Sequence, residues 1–366
     1  MDTLPDPETP SPLDRAHGLG SLGSRLRALL GGRWILAFLV LETLYFCFTA
    51  QGFANPSSAQ MLLFYGVEVF LLAVAELFVI ITGGIDLSVG YVLGFASIIA
   101  TKVIDGLANA GAPPLAAVLI GAAATLLVGV LPGLVNGWLV AYLGVPPFIA
   151  TFSMLGVCHG ISELVIRGIY AMGLPALAAD LGSGHLLYIA PGGVFSFFVR
   201  PQVERGVAVV ELVPLVVVLA AVVIGILAFV LARTRFGRHV YAIGGNRDAA
   251  IRAGIPVKRR LLEVYALSSV LASLAGLVYA LKYVSGKADA GASNLLDAIA
   301  AVMIGGASMF GGSGTVGRTM VGCLVIAVLD LGLRMSGTPT FDKYILVGAI
   351  LVCAVVVERY VEVDGK

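Results

Sequence analysis

Apolar residues along the chain fall into long blocks that short polar segments separate. The blocks span residues 34–50, 61–82, 86–104, 114–142, 147–166, 208–232, 262–284, 295–311, 317–336 and 343–358. A helix that crosses a membrane needs about 20 mostly apolar residues, and glycine or proline can break such a helix into two halves. The pattern therefore predicts an all-α, polytopic integral membrane protein with about ten transmembrane helices, some of them broken at Gly-rich points.

The composition supports this class of protein and excludes others. Of the 366 residues, 59% are hydrophobic and 12% are charged, and the mean hydropathy is +0.99. A soluble domain carries about 25% charged residues, so a soluble enzyme or a nucleic-acid-binding protein is a poor interpretation. The four cysteines lie inside apolar blocks without CxxC spacing. We therefore expect buried thiols and no metal site.

The distribution of basic residues predicts the orientation in the membrane. Residues 1–33 are polar and contain several prolines, which is typical of a flexible tail, and residues 34–366 hold the transmembrane domain. With ten spans, 15 of the 23 basic residues fall on the side of both termini and of segment 233–260. Because loops rich in Lys and Arg stay in the cytoplasm, we expect both termini and segment 233–260 to be cytoplasmic. Loop 167–207 is then external.

Segment 233–260 holds eight of the basic residues together with the signals of a short helix. Asn246 can cap the start of this helix, Asp248 suits its first turn, and Gly254 with Pro256 ends it. The pattern predicts a two-turn helix that lies across the cytoplasmic face. These residues leave two interpretations open: a positively charged anchor that only fixes the topology, or a knob that docks into another protein.

Four stretches of the chain carry a resemblance to a known family. The first two are Gly83-Gly84-Ile85-Asp86-Leu87-Ser88-Val89-Gly90, and Asn136-Gly137 followed by Pro147-Phe148-Ile149-Ala150-Thr151. The third, inside segment 233–260, consists of Phe236-Gly237-Arg238, Tyr241-Ala242-Ile243-Gly244-Gly245-Asn246, Ala249-Ala250 and Gly254-Ile255. The fourth consists of Ile304-Gly305-Gly306, Phe310-Gly311-Gly312 and Gly314. In this order, and over most of residues 60–335, the chain resembles the ribose-type (monosaccharide) ABC importer permeases.

The resemblance implies the permease subunit of an ATP-driven, binding-protein-dependent importer of a monosaccharide or related small polar solute, in the bacterial inner membrane. Its implied partners are a cytoplasmic ABC ATPase, a second identical or different permease chain and an external solute-binding protein, with no nucleic acid. The chain itself would hold no catalytic residue, no metal and no cofactor, because the ATPase subunits bind ATP. The helix at 246–254 would couple the ATPase to the spans. The implied coupling residues are Gly237, Arg238, Gly244, Gly245, Asn246, Ala249, Ala250, Gly254 and Ile255.

Glycines in the other motifs supply backbone freedom at breaks between spans. Asp86 and Ser88 are predicted to cap the helix that follows them, or alternatively to contact the solute. Residues 312–319 fit the spacing of a phosphate-binding loop with Arg318 in place of lysine, but their flanks are apolar spans, so we expect no nucleotide site there. The candidate pathway and gating residues are Gly83, Gly84, Asp86, Ser88, Asn136, Phe148, Thr151, Gly305, Gly306, Gly311 and Gly312.

Ionisable residues inside the spans are further candidates for function. Glu163 and Arg167, like Asp330 and Arg334, are four residues apart, so each pair is predicted to meet on one helix face, or else to line a polar pathway. Asp330–Arg334 stands where the resembling family has Asn-Gly-Leu-Asn, and Glu76 where it has an apolar residue. The candidate substrate residues are Glu68, Glu76, Asp330 and Arg334. A competing interpretation is a secondary transporter that an ion gradient drives through Glu68, Glu76 or Asp86.

Overall fold

A computed structural model describes residues 34–168, 170–190, 194–201, 209–338, 342–349 and 352. The predicted N-terminal tail, residues 1–33, and most of the predicted last span, 343–358, lie outside the described residues. The helices are α1 Trp34–Thr49, α2 Pro56–Ile81, α3 Val89–Asn109, α4 Pro114–Tyr142, α5 Pro147–Ile166, α6 Ala176–Ser183, α7 Leu215–Arg233, α8 Arg235–Gly245, α9 Arg247–Arg252, α10 Val257–Tyr283, α11 Ala292–Ile304 and α12 Val316–Met335. Residues 342–349 are also helical.

Within the described residues, seven helices are long and apolar enough to cross a membrane: α2, α3, α4, α5, α7, α10 and α12. Two shorter apolar helices, α1 and α11, account for the predicted blocks at 34–50 and 295–311. The block at 295–311 is longer than α11 because the helix ends at Ile304 and a glycine-rich loop follows it. The structure therefore confirms an all-α polytopic membrane protein. The predicted count of about ten spans is approximate, since the described residues contain seven long and two shorter apolar helices.

Part of the predicted external loop 167–207 is ordered secondary structure. It contains α6 and two strands, β1 His185–Ala190 and β2 Val194–Phe197, and a third strand, β3 Val210–Pro214, leads directly into α7. The strands form an antiparallel sheet in the order β2-β1-β3, with Leu187 opposite both Phe197 and Leu212. This small sheet lies beside an otherwise helical bundle.

Helices α2 and α10 form the centre of the bundle. Their apolar segments are 89% and 72% buried, which is typical of helices that are apolar all round and that neighbours enclose. Helix α4 approaches α10 closely through Gly129, Gly133 and Gly137, because a Cβ atom at each of these positions would overlap α10. Small residues four positions apart let two membrane helices pack in this way. Ser269 adds a hydrogen bond from its hydroxyl to the Gly129 carbonyl, 2.7 Å away.

The two ends of the bundle differ in character. Helices α8 and α9 lie at the end where α2 finishes and α10 begins, which we call the basic end. At the opposite end, Gly182 of α6 packs against the backbone at Leu281 and Lys282, near the end of α10. Helices α4, α5 and α7 expose large apolar side chains, for example Leu127, Leu164 and Phe229, as expected of surfaces that face lipid.

Candidate functional site

The basic end carries two short helices where the sequence predicts one. Helix α9 has the predicted cap, since the Ala249 N–H donates to the Asn246 side-chain oxygen at 2.9 Å. Asp248 lies in its first turn and Arg252 in its last turn, so both charges suit the helix dipole. Helix α8 was not predicted. Its start is capped by Thr234, whose hydroxyl oxygen accepts from the Gly237 N–H at 3.3 Å.

Helix α9 presents an apolar side chain to the outside of the protein. Ala250 is buried against the bundle, whereas Ile251, the next residue, is 55% exposed. Ala249 and Gly254 are exposed on the same short segment. The exposed side of α9 therefore offers an apolar side chain between the charged residues Asp248 and Arg252. Ile251 was not among the predicted coupling residues, although its position in the capped helix indicated it.

Glycines from three predicted motifs meet where α8 contacts the bundle. The Gly312 N–H donates to the Ile81 carbonyl at 2.8 Å, and a Cβ atom on Gly244 would overlap both of these groups. Gly83 and Gly311 have φ angles of 81° and 92°, a left-handed backbone that favours glycine. We call Gly83, Gly244, Gly311 and Gly312 the glycine junction. It joins α8 to the end of α2 and to the loop before α12.

Tyr241 makes a second connection between α8 and the same loop. Its hydroxyl donates to the Gly314 carbonyl at 2.7 Å, and partial burial raises the pKa of the phenol. The other motif glycines have local roles. A Cβ atom on Gly305 would press on the start of α12 at Thr319, and Gly306 has a φ of 78° that suits its turn.

Asp86 is the centre of a buried polar cluster. Its carboxylate accepts hydrogen bonds from the Ser88 N–H at 3.0 Å, the Ser88 hydroxyl at 2.5 Å and the Ser268 hydroxyl at 2.9 Å. The Asn136 amide donates to the Ser88 hydroxyl oxygen at 3.0 Å, and the Glu76 carboxylate accepts from the Asp86 N–H at 3.4 Å. We call these five residues the Asp86 cluster. It ties α2, α3, α4 and α10 together.

This geometry corrects the predicted cap of α3. Ser88 occupies the N-cap position, but within the described structure its side chain makes no capping bond to the helix, because its hydroxyl donates to Asp86 instead. Thr151 joins the same region, since its hydroxyl lies 3.2 Å from the Ile85 carbonyl. Phe148 is separate from this region: its ring is 59% exposed and stacks on Phe152.

A polar cavity of about 340 Å³ lies in the half of the bundle away from the basic end. Its walls come from α2, α10, α11, α12 and the helix at 342–349. The polar residues that line it are Tyr65, Glu68, Tyr279, Tyr283, Ser293, Asn294, Asp297, Asp330, Arg334 and Lys343. Three of the four candidate substrate residues, Glu68, Asp330 and Arg334, thus line one cavity. Glu76 does not, because it belongs to the Asp86 cluster.

Ion pairs cross the walls of this cavity. The predicted pair is confirmed, with Arg334 2.9 Å from Asp330. Lys343 lies 2.6 Å from Asp297 and 3.0 Å from Asp330, so it bridges α11 and α12. Lys282 lies 2.8 Å from Glu68, and both side chains are buried.

The other predicted pair, Glu163 with Arg167, is wrong for the described structure. Helix α5 ends at Ile166, and Arg167 takes a left-handed conformation with φ of 49° that turns its side chain off the helix face.

Comparison with known proteins identifies the family. Residues 58–355 match a family described as "Branched-chain amino acid transport system / permease component". The chain belongs to this permease family. The xylose transport system permease protein XylH of Haemophilus influenzae is 37% identical over 325 residues, which cover 78% of this chain and 84% of that protein.

Two further relatives agree with this match. The fructose import permease protein FrcC of Rhizobium meliloti is 33% identical over 89% of this chain and 84% of its own length. The ribose import permease protein RbsC of Bacillus subtilis is 34% identical over 79% and 80%. No solved structure matches this permease.

Membership of the family places the chain among transport subunits and not among enzymes. The relatives are named as permease proteins of transport or import systems, and the family is described as a permease component.

Proposed function

We propose that the chain is the permease subunit of an ATP-driven, binding-protein-dependent importer of small sugars in the bacterial inner membrane. The observation that carries this proposal is the match along most of the chain to permeases named for xylose, fructose and ribose. The cavity supports it, because about 340 Å³ lined by tyrosines and paired charges suits one small polar solute. A second permease chain, identical or different, completes the transport unit.

The ATPase binds the permease at the basic end. The excess of Lys and Arg there favours a cytoplasmic location for this end and for both termini, where an ABC ATPase binds ATP. We assign the docking contact to α9, whose exposed Ile251 suits a groove in the ATPase. The other coupling residues, from Gly237 to Ile255, shape the turns around it.

The glycine junction is the route by which motion of α9 reaches the spans. Close backbone contact joins α8 to the end of α2 and to the loop before α12, so a displacement of α8 must move both. The Asp86 cluster then connects α2 with α3, α4 and α10. ATP-driven closure of the ATPase would in this way open the solute pathway to one side of the membrane at a time. Asn136, Thr151 and Ser88 hold this connection together and serve as its gating residues.

The decisive experiment changes Ile251 to Asp in the complex assembled with its ATPase and binding protein. Loss of an apolar anchor from a protein interface costs 2 kcal/mol or more, which is a loss of about 30-fold in affinity. We expect the ATPase to stop co-purifying and sugar-stimulated ATP hydrolysis to fall to the basal rate. The matched control is Val199→Asp, which also adds a carboxylate to an exposed apolar position, at the opposite end.

Full retention of the ATPase by Ile251→Asp would contradict docking through α9. Sugar uptake into proteoliposomes distinguishes an ABC importer from a secondary transporter. Sugar uptake that needs ATP and not an ion gradient supports the ABC importer, whereas uptake driven by a proton or sodium gradient without ATP would favour a secondary transporter that uses Glu68, Glu76 or Asp86.

A further inference from the structure

The pairing register of the small sheet places apolar side chains on one of its faces. Side chains alternate between the two faces along a strand, and residues paired across strands share a face. Two rows of paired residues therefore lie on the same face: Phe197 with Leu187 and Leu212, and Phe195 with Ile189 and Val210. We call these six residues the apolar sheet face. Neither row contains a side chain that can donate or accept a hydrogen bond.

The apolar sheet face is turned away from the rest of the described protein. Phe195 and Phe197 are each 62% exposed, and Val210 is 53% exposed. The opposite face of the sheet is covered, since Tyr188, which points the other way from β1, is only 5% exposed. Clustered apolar side chains with this exposure mark a surface that contacts something other than water.

The polar and charged groups of the sheet belong to the covered face. Its central row pairs Tyr188 with Ser196 and Glu211, and the Glu211 carboxylate lies 3.2 Å from the Arg200 side chain. The side-chain amide of Gln60, near the start of α2, donates to the Glu211 backbone carbonyl and so ties the edge strand β3 to α2. The sheet is therefore amphipathic, and its position beside the bundle is fixed.

The chain continues from the sheet into a surface that faces lipid. Strand β3 runs directly into α7, because Pro214 is both the last residue of the strand and the N-cap of the helix. Helix α7 is long and apolar enough to span a membrane, and it exposes Leu219, Val222 and Ile226. Leu212 of the apolar sheet face is therefore close in the chain to the first residue of a span. The sheet lies at the level where the bilayer ends.

From these observations we propose that the apolar sheet face is a membrane anchor, which lies on the bilayer at the end opposite the basic end with Phe195 and Phe197 inserted among the lipids. In the orientation proposed above, this is the outer leaflet. An amphipathic element of this kind sinks its apolar side about 5–10 Å into the boundary between headgroups and acyl chains. Lipid fits this face better than a protein partner does, because both rows lack the polar groups that form the rim of a protein interface. The anchor would hold β3, and with it the start of α7, at the membrane surface.

Tryptophan fluorescence of the full-length permease in lipid nanodiscs tests this contact. Phe197→Trp and, as an independent position, Phe195→Trp each place an indole in the apolar sheet face, and the emission of the wild type, which contains two tryptophans, is subtracted. We expect lipids that carry bromine in the upper part of the acyl chain to quench most of the added emission, and aqueous iodide to quench little of it. Bromine near the chain ends should quench less, because the face lies in the boundary layer.

Asp180→Trp is the matched control, because Asp180 is exposed on α6 in the same loop, and its indole should respond to iodide and not to brominated lipid. Quenching of both sheet variants by iodide and not by brominated lipid would overturn the anchor, since the face would then lie in water, whether or not an added solute-binding protein removes this quenching. Resistance to both quenchers would also overturn it, because protein would then cover the face. Stronger quenching by bromine near the chain ends would overturn the position in the boundary layer.

Discussion

The buried pair of Lys282 and Glu68 offers a quantitative test of the structure. The Lys282 ammonium group donates to both Glu68 carboxylate oxygens, at 2.8 and 2.9 Å, and to the Phe64 carbonyl at 2.6 Å. It also lies 4.4 Å from the centre of the Phe64 ring. The side chains of Lys282 and Glu68 are only 0% and 3% exposed. Replacing Lys282 by Met would leave the Glu68 carboxylate buried without a counter-charge.

Breaking a buried ion pair from one side costs about 3–5 kcal/mol, because the remaining charge is uncompensated. Removing both charges is far less harmful, because a well-packed uncharged pair often leaves the free energy of unfolding unchanged or raises it. We therefore expect Lys282→Met to lower the free energy of unfolding by about 3–5 kcal/mol. The double variant Lys282→Met/Glu68→Gln should recover most of this loss.

Unfolding in detergent micelles, followed by circular dichroism during titration with a denaturing detergent, measures these differences. The control is Arg259→Gln, which removes one member of an exposed pair with Glu263 at 2.9 Å and should cost less than about 1 kcal/mol. If the double variant is as unstable as Lys282→Met, loss of packing and not an orphaned charge explains the effect, and the reasoning is refuted. Wild-type stability of Lys282→Met would refute the buried pair itself.

Three smaller changes test other contacts. Gly244→Ala should lose about 1–3 kcal/mol of stability and should lose sugar-stimulated ATP hydrolysis, because its Cβ atom overlaps the end of α2. The control Gly225→Ala, in α7, should retain both, because a Cβ atom there has open space. Gly94→Ala should destabilise the protein by a similar amount, because its Cβ atom would overlap the Ala288 carbonyl in the loop before α11. Gly106→Ala, on the same helix, has open space and should raise the stability measured by thermal unfolding by up to about 1 kcal/mol. Asn246→Ala should cost α9 about 1 kcal/mol and speed hydrogen exchange in its first turn; unchanged exchange would contradict the cap.

Contacts between neighbours in the chain were predictable from the sequence. The Asn246 cap and the pair of Asp330 with Arg334 follow from local spacing, and both are present. Local spacing failed for Glu163 with Arg167, because the pairing rule holds only while the helix continues and α5 ends between them. A rule of this kind needs the helix boundary, which is the least certain feature of an apolar block.

Contacts between distant helices were not predictable. Lys282 and Glu68 are 214 residues apart, and Lys343 and Asp297 are 46 apart. Helical periodicity gives the face on which each charge lies but not the helix that it meets, so the cavity could not be derived from the pattern. Lysines and aspartates inside apolar blocks were the available signal, since an unpaired charge there is too costly to persist. The glycine junction is similar: the motifs supplied its residues, and only the fold brings them together.

The positions of these contacts along α2 and α10 limit how the permease can move. Glu68 and Ile81 are separated by 13 residues of α2, or about 20 Å of helix, and they contact Lys282 and the glycine junction respectively. Lys282 lies at the C-terminal end of α10. Ser268 lies nearer the N-terminal end of α10, and its hydroxyl donates to the Asp86 carboxylate. Because sliding α2 along α10 would break a buried ion pair, we expect the two helices to move as one body. We therefore expect displacement of α8 to reach the cavity through this pair and through α12, because the glycine junction contacts both the end of α2 and the loop before α12. Among the described residues, Lys343 alone bridges α11 and α12 by ion pairs.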